Sequence, residues 1–384
     1  MPPPSLRNSP VSQRTLDEQL SAHLNFLAQD QENLTLLIKI STIYLELGNY
    51  DQAQIYLDKA QVIDPIACLS YQGLLDLQRG QFAAARKKFT ESLAHEQTPT
   101  LRYNLAFACF LDGELAQAHT HLSCIAPELL PSEGKLLEVR IFHGLGELDK
   151  ALSCLYSFLQ EEPHNAEALG VAALLHFDND ELAYALEKAE QALKLDPDNY
   201  DARLVLCMNG LNSQSTSVET VKELLAINST DCRLWFALGS LQMTQGDFVS
   251  AEDALAQAIA IYPDFYDATI MYGWCLLVQN KLDTAARVFE EAATRIKELA
   301  DAWGGWGTVY ALQGNMSAAR PLLDQAFTID CNCFIAQIGH ILYTAHQEPE
   351  RANQELVHFL KNSDNSVSQK LAVLMDEVQQ LAIA

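Results

Sequence analysis

Apolar residues recur at every third or fourth position from Thr15 onward, which is the period of an amphipathic helix. No stretch shows the sustained alternation of a strand, so the pattern predicts an all-α fold. Glycine, asparagine or aspartate interrupts the helices at intervals of 32 to 34 residues, with one interval of 66 that conceals a degenerate repeat. These breaks are Gly48, Gly80, Gly113, Gly146, Asp180, Gly246, Asn280 and Gly314.

Small residues follow the breaks at a fixed distance. An alanine stands five residues after each break, at Ala53, Ala85, Ala118, Ala151, Ala185, Ala251, Ala285 and Ala319. Proline occurs near the expected end of several second helices, where it stops the backbone hydrogen bonding. Each repeat is therefore predicted to be a helix, a tight turn and a second helix that crosses the first closely.

This pattern resembles a known repeat family. The segment "LWFALGSLQMTQGDFVSAEDALAQAIAIYP" is similar to the tetratricopeptide repeat along nearly its whole length, through Trp235, Leu238, Gly239, Gly246, Phe248, Ala251, Ala258 and Pro263. The segment "ISTIYLELGNYDQAQIYLDKAQVIDP" matches the same consensus through Tyr44, Gly48, Tyr50, Ala53, Ala60 and Pro65. The resemblance implies an α-solenoid in a right-handed superhelix, because one helix pair cannot bury its apolar faces alone.

The predicted organisation is one repeat array with short flanking segments. A disordered tail covers 1–14, a leading helix 15–33, the array 34–364 and a capping helix 365–384. The repeats are expected to start near residues 34, 66, 99, 132, 166, 198, 232, 266, 300 and 334. The final helix carries an apolar stripe whose spacing also suits a short coiled coil, so self-association through it stays an alternative: Val367, Leu371, Leu374, Val378 and Leu381.

Charge and cysteine usage narrow the choice of partners. Among the 384 residues, 50 are acidic and 25 basic, and the net charge of -25 argues against nucleic acid and anionic lipid as partners. The densest basic cluster, Arg86 to Lys88, is interpreted as a solvated face. Nine cysteines without framework spacing, no signal-peptide pattern and no apolar run of membrane-spanning length lead us to expect a cytoplasmic protein that does not insert into a membrane.

Candidate chemistry is sparse. The segment "HTHLSC" holds His119, His121 and Cys124, but only two of them share a helix face, so no metal site is expected. "CNC" at 331–333 is one residue short of a dithiol motif, and no phosphate-binding, dinucleotide or nucleophile motif occurs. We therefore expect a non-enzyme without a cofactor.

The resemblance places the binding surface on the inner, concave row of the first helices. The residues predicted to contact a partner there are Tyr103, Phe107, Phe110, Arg140, Leu174, Phe177, Phe236, Met243, Ile270, Trp274, Leu277 and Gly304. Aromatic residues and methionine suit an apolar anchor. Within "DAWGGWG", Gly304 lies 34 residues after Ile270 on this row, so it either opens a notch beside Trp274 or only relieves crowding against a tryptophan.

The leading functional hypothesis is a scaffold or adaptor that holds an apolar peptide or amphipathic helix of a partner protein in the groove. Two alternatives stay open at this point. One is a dedicated chaperone for a secreted or membrane-complex subunit, which would carry a single client. The other is a noncatalytic regulatory subunit of an enzyme complex.

Overall fold

The structure, a computed structural model, describes residues 13–212 and 215–362. These residues form 21 α-helices and contain no β-strand, which confirms the predicted all-α class. The helices are α1 (Gln13–Leu27), α2 (Leu34–Glu46), α3 (Tyr50–Ile63), α4 (Pro65–Gln78), α5 (Phe82–His95), α6 (Pro99–Leu111), α7 (Leu115–Ser123), α8 (Ser132–Gly144), α9 (Leu148–Glu161), α10 (Ala166–Asp178), α11 (Leu182–Leu195), α12 (Tyr200–Asn212), α13 (Val218–Ile227), α14 (Cys232–Gln245), α15 (Phe248–Ile261), α16 (Tyr266–Val278), α17 (Leu282–Arg295), α18 (Ala300–Leu312), α19 (Met316–Ile329), α20 (Phe334–Ala345) and α21 (Pro349–Asn362). A short 3-10 helix, Pro127–Leu129, lies between α7 and α8.

The chain divides into two compact units, an N-terminal unit Met1–Val205 and a C-terminal unit Leu206–Ala384. In the N-terminal unit, α2 to α11 form five antiparallel pairs, and each second helix packs against the first helix of the next pair. The C-terminal unit repeats this arrangement from α14 to α21. Within each unit the helix pairs thus stack as in a solenoid, and clusters of buried apolar residues lie between successive helices.

The predicted flanking segments fall partly outside the described residues. The described residues include only the last two residues of the predicted tail, 13 and 14. They include no part of the predicted capping helix, 365–384. The helix α1 occupies Gln13–Leu27, within and just before the stretch assigned to a leading helix. The division into about nine to ten repeats and the handedness of the superhelix stay predictions.

The turns between paired helices share one backbone geometry. All eight breaks found in the sequence have a positive φ, which confirms their role as helix-ending turns; six are glycines, and the others are Asp180 at 58° and Asn280 at 57°. The left-handed conformation brings a Cβ atom against the following carbonyl, so glycine adopts it at the lowest cost. After each turn the chain enters the second helix, whose alanine, such as Ala251, is fully buried against the first.

Replacing Asp180 or Asn280 by glycine is expected to raise the free energy of unfolding by about 0.5–1 kcal/mol each, because the left-handed strain disappears. Neither side chain makes a hydrogen bond or ion pair within the described part of the chain that the substitution would remove. Denaturant unfolding followed by circular dichroism measures the change. The reverse substitution Gly246→Asn, at φ 78°, serves as the control and should cost a similar amount. A loss of stability in both glycine variants would contradict the explanation.

Large side chains of second helices fill spaces that glycines leave on first helices. A Cβ atom added at Gly73 would lie 2.7 Å from the ring of Phe89, and one added at Gly273 would lie 2.5 Å from the ring of Phe289. Both phenylalanines are completely buried. Glycine in a helix interior costs about 1 kcal/mol relative to alanine. The close fit of the phenylalanine rings offsets that cost.

Candidate functional site

The twelve residues predicted to contact a partner divide into an exposed and a buried group. Partly exposed are Phe110, Arg140, Phe177, Phe236, Met243, Ile270 and Trp274. Buried are Tyr103, Phe107, Leu174, Leu277 and Gly304. For these five the expected exposure is wrong, so they do not offer a surface to a partner in this structure.

Packing in core clusters that include residues of other first helices explains the burial of Tyr103, Phe107 and Leu277. The rings of Tyr103 and Phe107 stack with their centroids 6.3 Å apart, in a core cluster that includes Leu137 and Ile141 of α8. Leu277 shares a cluster with residues of α20, and Leu174 on α10 is 5% exposed. The predicted row therefore runs along the edge between inner surface and core, where a small rotation of the helix decides burial.

Gly304 does not open a notch. A Cβ atom at this position would lie 2.8 Å from Cγ2 of Ile335 and 2.9 Å from the backbone nitrogen of Ala336, so α20 occupies the space. The hydroxyl oxygen of Thr308 lies within hydrogen-bond distance of two carbonyl oxygens, that of Gly304 at 2.7 Å and that of Ile335 at 3.0 Å. Both readings of Gly304 from the sequence are thus corrected: the glycine allows a close approach of α18 and α20 and does not act beside a tryptophan.

The neighbouring glycines of "DAWGGWG" also have packing roles. A Cβ atom at Gly305 would lie 2.5 Å from Cε1 of Phe289, and one at Gly307 would lie 2.8 Å from Leu323. On the facing helix, a Cβ atom at Gly339 would lie 2.4 Å from the hydroxyl oxygen of Thr308. The segment is therefore a helix face made small enough to pack against three neighbouring helices.

Arg140 is engaged within the N-terminal unit. Its guanidinium lies 2.6 Å from a carboxylate oxygen of Asp201 and 3.7 Å from one of Glu167. Burial lowers the pKa of Arg140, but the carboxylates of Asp201 and Glu167 outweigh burial and hold that pKa above its usual value. The Asp201 side chain is almost fully buried. In this structure the charge of Arg140 is paired with carboxylates of neighbouring helices, and its contact with a partner stays a prediction.

The same row continues with a second internal pair. Nε2 of His143 lies 2.8 Å from a carboxylate oxygen of Asp178, which joins α8 to α10. With Arg140, Glu167 and Asp201, this pair makes the middle of the N-terminal unit polar. The apolar groove expected from the sequence is therefore restricted there to the partly exposed rings of Phe110 and Phe177.

The C-terminal unit carries a more continuous apolar row. Phe236 on α14 and Ile270 and Trp274 on α16 are partly exposed. The ring of Phe236 contacts Phe265 at a centroid distance of 5.1 Å, and the indole of Trp274 contacts Phe334 of α20 at 6.3 Å.

Sequence reasoning missed Phe265, Phe334 and Phe359, whose ring lies 5.2 Å from that of Phe334. Phe334 does not stand at the repeat position that defines the row. The contact between Phe334 and Trp274 depends on the glycines that bring α20 close. No periodic signal in the sequence indicates it.

The four tryptophans, all in the C-terminal unit, differ in what their indole N–H groups do. Trp235 donates to the carbonyl oxygen of Ser229 at 2.8 Å, and Trp303 donates to that of Lys297 at 3.0 Å. The N–H of Trp306 is buried without a partner. Trp274 is partly exposed and makes no hydrogen bond to the described residues. Among the four, Trp274 is the one whose indole lies in the row with Phe236 and Ile270.

The histidines and thiols singled out in the sequence are separated in the structure. The ring of His119 packs on Phe142 at 5.0 Å, whereas burial and the nearby Arg102 lower the pKa of His121. Cys331 is exposed, but Cys333 is buried, which raises the pKa of its thiol to about 12. In the described ranges, no three histidine, cysteine, aspartate or glutamate side chains form a group able to hold a metal ion.

The basic cluster on α5 is largely paired. Arg86 lies 3.1 Å from Asp112 and 3.3 Å from Glu114, and Lys88 lies 2.7 Å from the mostly buried carboxylate of Asp76. Such pairing leaves little net positive charge on this face. No helix among residues 13–212 and 215–362 is long and apolar enough to cross a membrane.

Comparison with known proteins gives relatives that match part of this chain. The tetratricopeptide repeat protein 34 of Mus musculus is 28% identical over 190 residues, which are 47% of this chain and 32% of that protein. Its Homo sapiens counterpart is 24% identical over 281 residues, 59% of this chain and 50% of that protein. The human protein O-mannosyl-transferase TMTC1 is 24% identical over 196 residues, 50% of this chain and 22% of that protein. The chain thus spans half or less of the length of these relatives.

Solved structures with similar folds include two smaller repeat proteins. The type IV pilus biogenesis factor PilW has a TM-score of 0.42 at 20% identity, over 54% of this chain and 96% of PilW. YrrB, described as a TPR protein with an unusual peptide-binding site, has a TM-score of 0.37 at 22% identity, over 47% of this chain and 95% of YrrB. These TM-scores lie below 0.5, so the assignment rests on the sequence matches and on the helix pairs themselves.

Family models of the tetratricopeptide repeat match the chain in four places. The matched residues are 34–66, 99–123, 136–200 and 236–299. Each matched stretch consists of the stacked helix pairs described above, with glycine, asparagine or aspartate at the left-handed turn and alanine where the helices cross. On these matches and this architecture, the chain belongs to the tetratricopeptide repeat family.

Proposed function

We propose that this chain is a protein–protein interaction scaffold and that it binds an apolar segment of a partner on the inner face of its C-terminal unit. The observation that carries the proposal is the partly exposed indole of Trp274, set in a row with Phe236 and Ile270. Tryptophan dominates measured binding hot spots because it combines a large apolar surface with one donor.

The shape of the row favours an amphipathic helix as the bound segment. The apolar side chains of the row come from two neighbouring first helices, α14 and α16, so the row crosses the axes of these helices. A partner helix can place residues three and four apart against such a row. Burial of one large apolar side chain there contributes about 1.5–3 kcal/mol. Met243 and Phe334 lie at the edges of the row and add adaptable apolar surface.

The proposed role is that of a binding protein and not of an enzyme. Solenoids of this kind present extended surfaces to partners, and repeat proteins of this family are generally noncatalytic. The name of TMTC1 assigns mannosyl transfer to that protein, of which this chain matches 22%.

Trp274→Ala is expected to weaken partner binding at least about 30-fold, since the truncation of a hot-spot residue costs about 2 kcal/mol or more. Partners are captured from native lysate on the wild-type chain and identified, and their affinities are then measured with purified proteins. Phe236→Ala should weaken the same partners. Phe26→Ala, which removes an exposed ring of the N-terminal unit, is the matched control and should leave the affinity unchanged.

Equal affinity of every captured partner for the wild type and for Trp274→Ala would overturn the proposed site, provided that circular dichroism shows the variant to be folded. The number of partners held at once separates the scaffold from a dedicated chaperone. A scaffold forms a ternary complex in size-exclusion chromatography, whereas a chaperone with one client does not.

A further inference from the structure

A buried histidine of the N-terminal unit contacts a small cluster of polar and aromatic side chains that reaches the surface of that unit. His176, near the end of α10, is 3% exposed. Its Nε2 lies 2.7 Å from the hydroxyl of Tyr156 on α9, and its Nδ1 lies 2.5 Å from a carboxylate oxygen of Glu181. A carboxylate at Nδ1 selects the tautomer with the proton on that nitrogen, so Tyr156 donates to Nε2.

Two tyrosine rings flank this histidine. The ring of Tyr156 lies 6.0 Å from the imidazole centroid, and the ring of Tyr184 on α11 lies 5.6 Å from it. Both tyrosines are exposed, Tyr156 at 43% and Tyr184 at 58%. The hydroxyl of Tyr156 points inward to His176 and is fixed there, so its ring keeps one orientation while part of it faces solvent. Such preorganisation lowers the entropy that a ligand must lose on binding.

The surroundings of the two rings are acidic. Glu181 remains partly exposed, and the hydrogen bond from His176 lowers the pKa of its carboxyl group, so it stays ionised at neutral pH. Asp180 precedes it, and Glu187 follows Tyr184 by three residues on α11, that is, on the same side of the helix. Lys188, the nearby basic residue of α11, pairs with Glu187. A cation that approaches either exposed ring therefore also meets an excess of carboxylate.

We infer that the surface formed by Tyr156, Tyr184 and Glu181 binds an arginine side chain of a partner polypeptide. Charge complementarity identifies the occupant, because the chain has a net charge of -25 and the rings stand next to an ionised carboxylate. Arginine fits better than lysine, since its planar guanidinium stacks on aromatic rings and donates in parallel to a carboxylate. The surface lies on α9 and α11 of the N-terminal unit. It is thus separate from the apolar row of the C-terminal unit and does not depend on the function proposed for that row.

A test uses the full chain labelled with 3-fluorotyrosine and N-acetyl-arginine amide as the probe. The fluorine signals of Tyr156 and Tyr184 are assigned from Tyr156→Phe and Tyr184→Phe, each of which removes one signal. Both signals are expected to shift and to saturate at millimolar probe. N-acetyl-glutamine amide, which has no charge, should leave them in place. N-acetyl-lysine amide should bind more weakly than the arginine probe.

Tyr184→Ala is expected to weaken the arginine-dependent shift of the Tyr156 signal about two- to fivefold, the usual contribution of one exposed cation–π contact. Glu181→Gln should weaken it as well, and added salt should do the same. Tyr262→Ala removes a similarly exposed ring from the C-terminal unit and serves as the control with unchanged binding. Equal shifts at all tyrosines, equal binding of the glutamine or lysine probe, or an unchanged affinity in folded Tyr184→Ala would each overturn the inference.

Discussion

Phe289→Ala is expected to lower the free energy of unfolding of the C-terminal unit by about 3–5 kcal/mol, the usual cost of deleting a buried aromatic ring. The ring is completely buried, and it fills the spaces at Gly273 on α16 and Gly305 on α18. Neither glycine has side-chain atoms that could move into the cavity. The loss should therefore lie toward the upper end of this range.

A double-mutant cycle separates this explanation from a general loss of core volume. Gly305→Ala alone should destabilise by about 1–2 kcal/mol, because its Cβ atom would lie 2.5 Å from Phe289. In the Phe289→Ala background the same alanine should stabilise by about 1 kcal/mol, since it meets no ring and is the better helix former. The two substitutions should thus be non-additive by about 2–3 kcal/mol.

Tryptophan fluorescence measures these changes in stability within the C-terminal unit. All four tryptophans of the chain, Trp235, Trp274, Trp303 and Trp306, belong to the C-terminal unit. Denaturant unfolding followed by their emission reports that unit. Gln325→Ala, an exposed substitution on α19, should change the midpoint little and is the control. Additive effects in the cycle would contradict the proposed fit between ring and glycines.

Arg140→Ala is expected to cost the N-terminal unit about 3 kcal/mol, because it leaves the buried carboxylate of Asp201 without its counter-ion. The double variant Arg140→Met, Asp201→Leu should recover most of this loss, since paired charges can be replaced by apolar residues of similar volume. Hydrogen exchange of α8 and α10, together with thermal unfolding followed by circular dichroism, measures the change.

An exposed ion pair of similar geometry provides the comparison. Arg295 lies 2.7 Å from Asp264, but both side chains are about half exposed. Arg295→Ala should therefore change the free energy of unfolding by no more than about 1 kcal/mol. If Arg140→Ala left stability unchanged and instead abolished partner binding, Arg140 would belong to a binding site, as the sequence alone suggested.

Local rules made much of the architecture predictable. The eight breaks correspond to left-handed turns because few residues other than glycine, asparagine and aspartate adopt a positive φ. The alanine five residues later is buried wherever it occurs, since a crossing of helix axes tolerates no larger side chain. Both signals repeat along the chain, so each copy supports the others.

The candidate site was less predictable, for a reason that Gly304 and Arg140 illustrate. Offsets within one helix indicate which residues share a face, but not what the neighbouring helix brings to that face. Gly304 meets the backbone of Ala336, and Arg140 meets Asp201, which is 61 residues away in sequence. Leu277 and Trp274 were predicted together, yet only Trp274 stays accessible.

Patterns in the amino-acid sequence were enough to predict paired helices, the position of each turn and the small residues at the helix crossings. These features depend on backbone conformation and on contacts within one repeat, which short-range patterns encode. Packing between helices of different repeats decides that Arg140 is paired with carboxylates, that α20 occupies the space beside Gly304, and that Trp274 and the tyrosine rings near His176 are partly exposed. Those outcomes depend on contacts between side chains of different repeats, whose geometry is fixed only once the helices pack.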